Sequence, residues 1–154
     1  MGTSESAAQR RRIHVAAAII VRGDPESVGG GAPHALLGRE ILATQRGYGE
    51  FKDWWEFPGG KVKPGETSRE ACARELREEL AVELVDLAPF MTIDYDYPEF
   101  HLTMDCFTCR LAPGTHISLL EHEDMRWLGR GDLGAVRWLP ADVEIIDALG
   151  GVLA

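Results

Sequence analysis

Three glutamates, Glu75, Glu78 and Glu79, stand three and four residues apart near the middle of the chain. On a helix those offsets put three carboxylates on one face, within a turn of each other. Left unneutralised, such a face repels itself by about 0.2–0.5 kcal/mol per like-charged pair. Hard divalent cations such as Mg²⁺ take oxygen ligands and bind through carboxylates together with substrate phosphates. Immediately upstream, Trp55-Glu56-Phe57-Pro58-Gly59-Gly60-Lys61 reads as a strand running into a glycine turn. A carboxylate trio at the mouth of that turn is suited to holding metal against a polyphosphate. The plainer reading is a solvated helix in which Glu70–Arg74 and Arg74–Glu78 offset one another. The surroundings favour the first reading. Thr67-Ser68-Arg69-Glu70 is a helix start of the capping-box kind, and Cys72, Ala73, Leu76 and Leu80 make an apolar stripe that can pack on a sheet.

The elements that must position this helix follow from composition and alternation. At 154 residues the chain is long enough for one domain with a proper core. Residues 14–22, β-branched and alanine-rich, predict a central strand. Residues 23–34, rich in Gly, Pro and Ser, predict a loop. Its Gly29-Gly30-Gly31 lacks the downstream Lys-Ser/Thr of a phosphate-binding loop and reads as linker. Residues 35–45 predict a second strand, and 47–54 a loop into the motif strand. Beyond the helix, extended runs are expected at 83–86, 90–97 and 102–111, the last two joined by a turn at Pro98-Glu99. A short strand at 125–128 and a final helix from about 142 to 149, stopped by Gly150-Gly151, complete the pattern. Internal repeats are absent. Strands flanking one central helix, with another at the end, predict a mixed sheet between helices.

Composition narrows the partners. A net charge of −9 argues against a nucleic acid duplex, which needs clustered Lys and Arg. Arg10-Arg11-Arg12 is the only basic run; it follows a polar start and reads as part of a mobile tail. No apolar run approaches the roughly 20 residues of a membrane span, and the N-terminus lacks the apolar core of a signal peptide, so the cytoplasm is the expected compartment. Cys106-x-x-Cys109 lies in an extended run, where side chains three apart face opposite ways. With Cys72 the count is odd, so buried thiols are expected rather than a disulfide or zinc site.

Residues 60–82 resemble the Nudix box, G-x5-E-x7-R-E-U-x-E-E-x-G-U with U apolar, at every fixed position but one. Ala81 stands where that pattern has its last glycine, so a small stability effect is expected there and no change to the metal face. The resemblance extends to the MutT-related branch through Gln45-Arg46, the Trp-Glu-Phe-Pro-Gly-Gly-Lys run, Glu121-His122 ahead of Trp127, and Leu139-Pro140-Ala141-Asp142. It implies an α/β fold, a Nudix-type α/β/α sandwich with a mixed β-sheet between helices. The expected organisation is a flexible tail at 1–12 and a single Nudix domain at 13–154.

The same resemblance implies the site. Glu75, Glu78 and Glu79, the Gly59 carbonyl and Glu121 hold Mg²⁺, with Mn²⁺ as a substitute. Gly60, Glu66 and Arg74 support the motif. Arg46, Phe57, Lys61 and Asp142 contact substrate. Glu123 and Asp124 compete with Glu121 for its role. The substrate is a nucleoside triphosphate, split by water to the monophosphate and pyrophosphate, with Glu78 or Glu121 as general base. The protein is expected as a monomer or homodimer.

Asp142 stands where MutT relatives place Asn or Asp to read the base edge; as an N-cap it would have a structural role too. An ionised Asp only accepts hydrogen bonds, which suits the N4 amino group of cytosine and also N1 and N2 of guanine. The Pro-Ala-Asp form leans toward (d)CTP or a modified pyrimidine such as 5-methyl-dCTP, with 8-oxo-dGTP, a nucleoside-diphosphate sugar or a nucleotide-sensing role as alternatives. On this reading Asp142→Asn shifts preference among bases.

Overall fold

A computed structural model describes residues 11–23 and 39–153. Most of the expected loop at 23–34, including Gly29-Gly30-Gly31, lies outside them, as does most of the expected tail. The central strand, β1 (Arg11–Arg22), is buried on both faces through its middle. Ala17, Ile19 and Val21 enter one core; Ala16, Ala18 and Ile20 enter the other. This is the period-two alternation of a strand with a layer on each side. β1 starts three residues before the expected position, because Arg11 and Arg12 pair with Phe100 and His101.

The remaining strands are β2 (Glu40–Arg46), β3 (Trp55–Glu56), β4 (Gly59–Lys61), β5 (Leu84–Asp96), β6 (Phe100–Leu111) and β7 (His122–Leu128). They form a mixed sheet in the order β3-β2-β1-β6-β5, with β4 added to β1 and β7 to β2. Among these strands only β1 and β6 run parallel; the other pairs are antiparallel. The motif strand divides: β3 pairs with β2, while β4 crosses to β1. Conversely, the runs expected at 83–86 and 90–97 are one strand. Register shifts at Val85/Ala88 and Pro89/Met91 absorb the kink at Asp86, with φ 57°, and the extra residue Phe90 beside Pro89, which has no N–H to donate.

Two helices cover the two faces. Helix α1 (Ser68–Leu80) has the full capping box: Thr67 accepts the Glu70 N–H, and Glu70 accepts the Thr67 N–H. Its buried residues are Ala71, Cys72, Leu76, Glu79 and Leu80; Ala71 takes the core place expected of Ala73, which is only partly covered. The first turn is fastened to the sheet at Asp105. That carboxylate accepts Ser68 Oγ and Thr92 Oγ1 and meets His14 Nε2 at 2.7 Å, tying β1, β5, β6 and α1 together. All three cysteines are buried, Cys106 in one core and Cys109 with Cys72 in the other, as strand alternation requires. Burial pushes the Cys72 thiol up to about 12, the range of an inert side chain.

Helix α2 (Pro140–Leu153) packs Ala141, Ile145 and Leu149 into the opposite core. It passes through the glycines expected to stop it. Glycine ends a helix by turning left-handed, and Gly150 keeps negative φ. Asp142 lies inside the first turn of α2 and is not its N-cap. Among the described residues no helix is long and apolar enough to cross a membrane.

Ala81 ends α1 at φ 57°, ψ 38°, the left-handed conformation that glycine adopts without penalty. Ala81→Gly is expected to stabilise the protein by roughly 0.5–1 kcal/mol, raising Tm by about 1–4 °C at this size. Thermal unfolding checks this; an unchanged or lower Tm contradicts it.

Candidate active site

Most of the residues assigned to chemistry, Glu78 excepted, meet at one cavity of about 760 Å³. Its wall includes Arg46, Phe57, Gly59, Gly60, Lys61, Glu75, Glu79, Glu121 and Asp142. The glycine turn is there because nothing larger fits. A Cβ on Gly59 would lie 2.0 Å from the Ala16 carbonyl oxygen, and one on Gly60 would lie 2.3 Å from the Glu75 carboxyl carbon. Backbone is thereby pressed between the central strand and the acidic face of α1.

Arg74 organises that face. Its Nε and Nη2 bind both oxygens of Glu66 at 2.7 and 2.9 Å, and Nη2 also reaches the Lys61 carbonyl at 2.9 Å. Nη1 contacts Glu75 at 2.9 Å and Glu78 at 3.1 Å. The bidentate pair, together with the Lys63 N–H, holds the Glu66 carboxyl down at about 2. Glu70 is occupied by the capping box, so the expected Glu70–Arg74 pair gives way to Glu66–Arg74. Glu78 is half exposed, rests on Arg74 and is not part of the cavity wall.

Glu79 is the outlier of the trio. It is buried, its Oε2 has no hydrogen-bond partner, and its carboxyl is raised to about 9. Burial is the main cause; repulsion from Glu75, Glu56 and Glu121 adds to it, and a hydrogen bond from the Gly59 backbone opposes it. Glu121 reaches the same wall because its loop is pinned to the end of α1: Ser118 N–H donates to Leu80 O and Leu120 N–H to Glu79 O. Its competitors are engaged elsewhere, Glu123 with Lys52 and Asp124 with the Met125 N–H.

Among the described residues no three His, Cys, Asp or Glu side chains already close into a cation cage. The donor set nevertheless fits a hard cation. It consists of carboxylate and carbonyl oxygens, and one buried carboxylate oxygen lacks any partner.

The other end of the cavity is apolar, with Phe51, Tyr97, Phe100, Leu102 and Met104 on its wall. Phe57 is core as well as wall: its ring stacks on Trp138 at 4.9 Å. Its N–H donates to Asp142 Oδ2 at 2.8 Å. Asp142 is buried, and burial, with repulsion from Glu56, raises it to about 8. Near pH 7 the neutral carboxyl is favoured. The acceptor-only edge expected from sequence therefore becomes one with a donor as well as an acceptor.

Sequence reasoning gave no role to Glu56, His122, Tyr48 or Tyr97, all on the cavity wall. Arg46 Nη1 lies 3.8 Å from Glu56 Oε1, and His122 Nε2 lies 3.6 Å from Glu56 Oε2. Tyr97 accepts the Ala141 N–H at 3.2 Å, tying the β5–β6 hairpin to α2. The signal for Glu56 and His122 is strand pairing: Thr44 opposes Glu56 and Arg46 opposes His122, so β2 collects both beside its own arginine.

These shifts set a pH dependence. In cation-free protein Glu79 keeps its proton to about pH 9, while an ordinary glutamate loses it near 4.5. Across that window the unfolded chain binds fewer protons, so stability falls as pH rises. Asp142 acts in the same direction between 3.8 and about 8. Urea unfolding of Glu79→Gln should show a distinctly shallower decline between pH 5 and 9 than wild type. Parallel profiles contradict the assignment.

Comparison with known proteins agrees with the geometry. Residues 13–149 match the NUDIX domain family model. The chain is 41% identical over 111 residues to the 8-oxo-dGTP diphosphatase of Escherichia coli (strain K12), covering 71% of this chain and 85% of that protein. It is 27% identical over 124 residues to the CTP pyrophosphohydrolase of the same organism, covering 72% and 82%. The fold matches the MutT NUDIX hydrolase of Burkholderia pseudomallei with a TM-score of 0.72 at 21% identity, over 89% of this chain and 97% of that one. Motif, fold and site geometry agree with this match, and the chain belongs to the Nudix hydrolase family.

Proposed function

We propose that this Nudix hydrolase is a Mg²⁺-dependent nucleoside triphosphate pyrophosphohydrolase, converting a triphosphate and water to the monophosphate and pyrophosphate in the cytoplasmic nucleotide pool. The observation that carries the reading is the unpartnered, buried Glu79 oxygen beside the Gly59-Gly60 turn, in a cavity whose far end is apolar. Glu75, Glu78, Glu79, Glu121 and the Gly59 carbonyl are the groups that would hold Mg²⁺ or Mn²⁺. Bound there, the cation supplies charge neutralisation for the phosphates and a lowered pKa for water.

The chain's own residues do the rest. Glu66 and Arg74 keep the loop and helix in register. Arg46, whose Nε is buried without a partner, and Lys61 are the cations that meet phosphate. Glu121, on the cavity wall with its neighbours engaged elsewhere, is favoured over Glu78 as the general base for a water attacking the β-phosphorus. Phe57 and Asp142 receive the base. The wet, acidic end and the dry, aromatic end together match a nucleotide's two chemistries.

For the base, the 41% identity to a protein named 8-oxo-dGTP diphosphatase supports 8-oxo-dGTP. The relative named CTP pyrophosphohydrolase supports (d)CTP as the second reading. A neutral Asp142 offers a donor and an acceptor, as Asn does, and so serves either base.

A turnover panel with Mg²⁺ tests the proposal, comparing CTP, dCTP, 5-methyl-dCTP, dGTP, 8-oxo-dGTP and ADP-ribose with products resolved by chromatography. Monophosphate and pyrophosphate are expected, with Glu78→Gln and Glu79→Gln each slower by at least about 10²-fold. Asp142→Asn is expected to keep the wild-type base preference near pH 7. Diphosphate and orthophosphate as products contradict the reading, and nucleotide binding without hydrolysis points to a sensing domain.

A further inference from the structure

His122 opens β7, and its side chain is only 6% exposed. It stands between two carboxylates from different elements. Nε2 is 3.6 Å from Glu56 Oε2, on β3, and 3.9 Å from Glu79 Oε2, on α1. Both gaps lie a few tenths of an ångström beyond hydrogen-bond reach. Glu79 Oε2 has no other partner, and neither does His122 Nδ1. Glu56 turns its second oxygen toward Arg46, at 3.8 Å. Arg46, Glu56, His122 and Glu79 thus form a chain from the phosphate-facing arginine to the buried carboxylate.

The burial of Nδ1 decides which way the imidazole acts. A proton on Nδ1 would leave a buried donor without an acceptor and, once a cation has displaced the Glu79 proton, aim the Nε2 lone pair at two anionic oxygens. A metal-ligating Nε2 would need that same arrangement, with an outer partner for Nδ1–H, and none is present. With the proton on Nε2, an N–H points into the gap between the carboxylates. Glu79 is then satisfied by whatever binds it, and Glu56 remains with Arg46.

We propose that His122 is a positioning residue for the cation-binding carboxylate: its Nε2–H separates Glu79 from Glu56 and aims one at the cation and the other at Arg46. This rests on the reading of Glu79 as a cation ligand. Gln can place an amide N–H close to the position of Nε2; Asn is too short, and Leu has no donor.

Calorimetric titration of the nucleotide-free protein with Mn²⁺ tests the idea in wild type, His122→Gln, His122→Asn, His122→Leu and Glu79→Gln. Loss of partners around metal ligands weakens binding by about 10–100-fold. The Leu and Asn variants are therefore expected to bind at least about tenfold more weakly, and Gln within about twofold of wild type. Leu or Asn binding as tightly as wild type overturns the proposal, and so does Gln failing as badly as Leu. Should Leu not fold, the Asn and Gln pair decides. If Glu79→Gln binds Mn²⁺ like wild type, the reading of Glu79 fails and the proposal with it. If Glu79→Gln loses binding while Asn and Leu do not, the reading stands and the role of His122 alone is refuted.

Discussion

The structure depends on how one guanidinium shares itself among acidic neighbours. Arg74 binds Glu66 with two parallel hydrogen bonds, takes the Lys61 carbonyl, and still touches Glu75 and Glu78. Without it, α1 would carry an uncompensated acidic face against a loop free to move. With it, the loop from β4 is locked to the helix. Of the three motif glutamates only Glu79 has no contact with Arg74, and it is the buried one. Burial of an unpaired carboxylate is costly, and the cost is tolerated most readily where a ligand removes it.

The approach of the backbone makes that arrangement possible. Gly59 and Gly60 let β4 pass between the Ala16 carbonyl and the Glu75 carboxyl, where any side chain would collide. Alanines on β1 serve the same end: Ala16 and Ala18 keep the central strand thin beneath α1. The opposite core, filled by Trp55, Phe57, Trp138 and the buried face of α2, fixes the aromatic end of the cavity. Acidic and aromatic ends therefore belong to different layers of the sandwich, brought together by the short strands β3 and β4 and the turn between them.

Much of this was legible in the sequence. Period-two burial in β1, the capping box at Thr67, the divided faces of Cys106 and Cys109 and the strained Ala81 all follow from local rules. The motif residues meet at one cavity, apart from Glu66 and Arg74, which tie the loop to the helix, and Glu78, which stands outside its wall. The failures share a cause, since each depended on contacts between distant segments. The strand expected to end at 86 continued because β6 paired across its bulges. The ionisation of Asp142 could not be read from its neighbours in the chain, being set by burial against Phe57 and repulsion from Glu56. Glu56 and His122 became site residues only through pairing with β2.

The central claim is that the unpartnered Glu79 oxygen beside the Gly59-Gly60 turn seats a divalent cation. Paramagnetic broadening by substoichiometric Mn²⁺, followed amide by amide in isotopically labelled protein, tests it most directly. The account predicts that signals of Gly59, Gly60, Glu79 and His122 broaden first, and that Glu79→Gln abolishes the effect. Broadening centred on the exposed Asp94–His101–Asp96 cluster, or none that is selective, would contradict it.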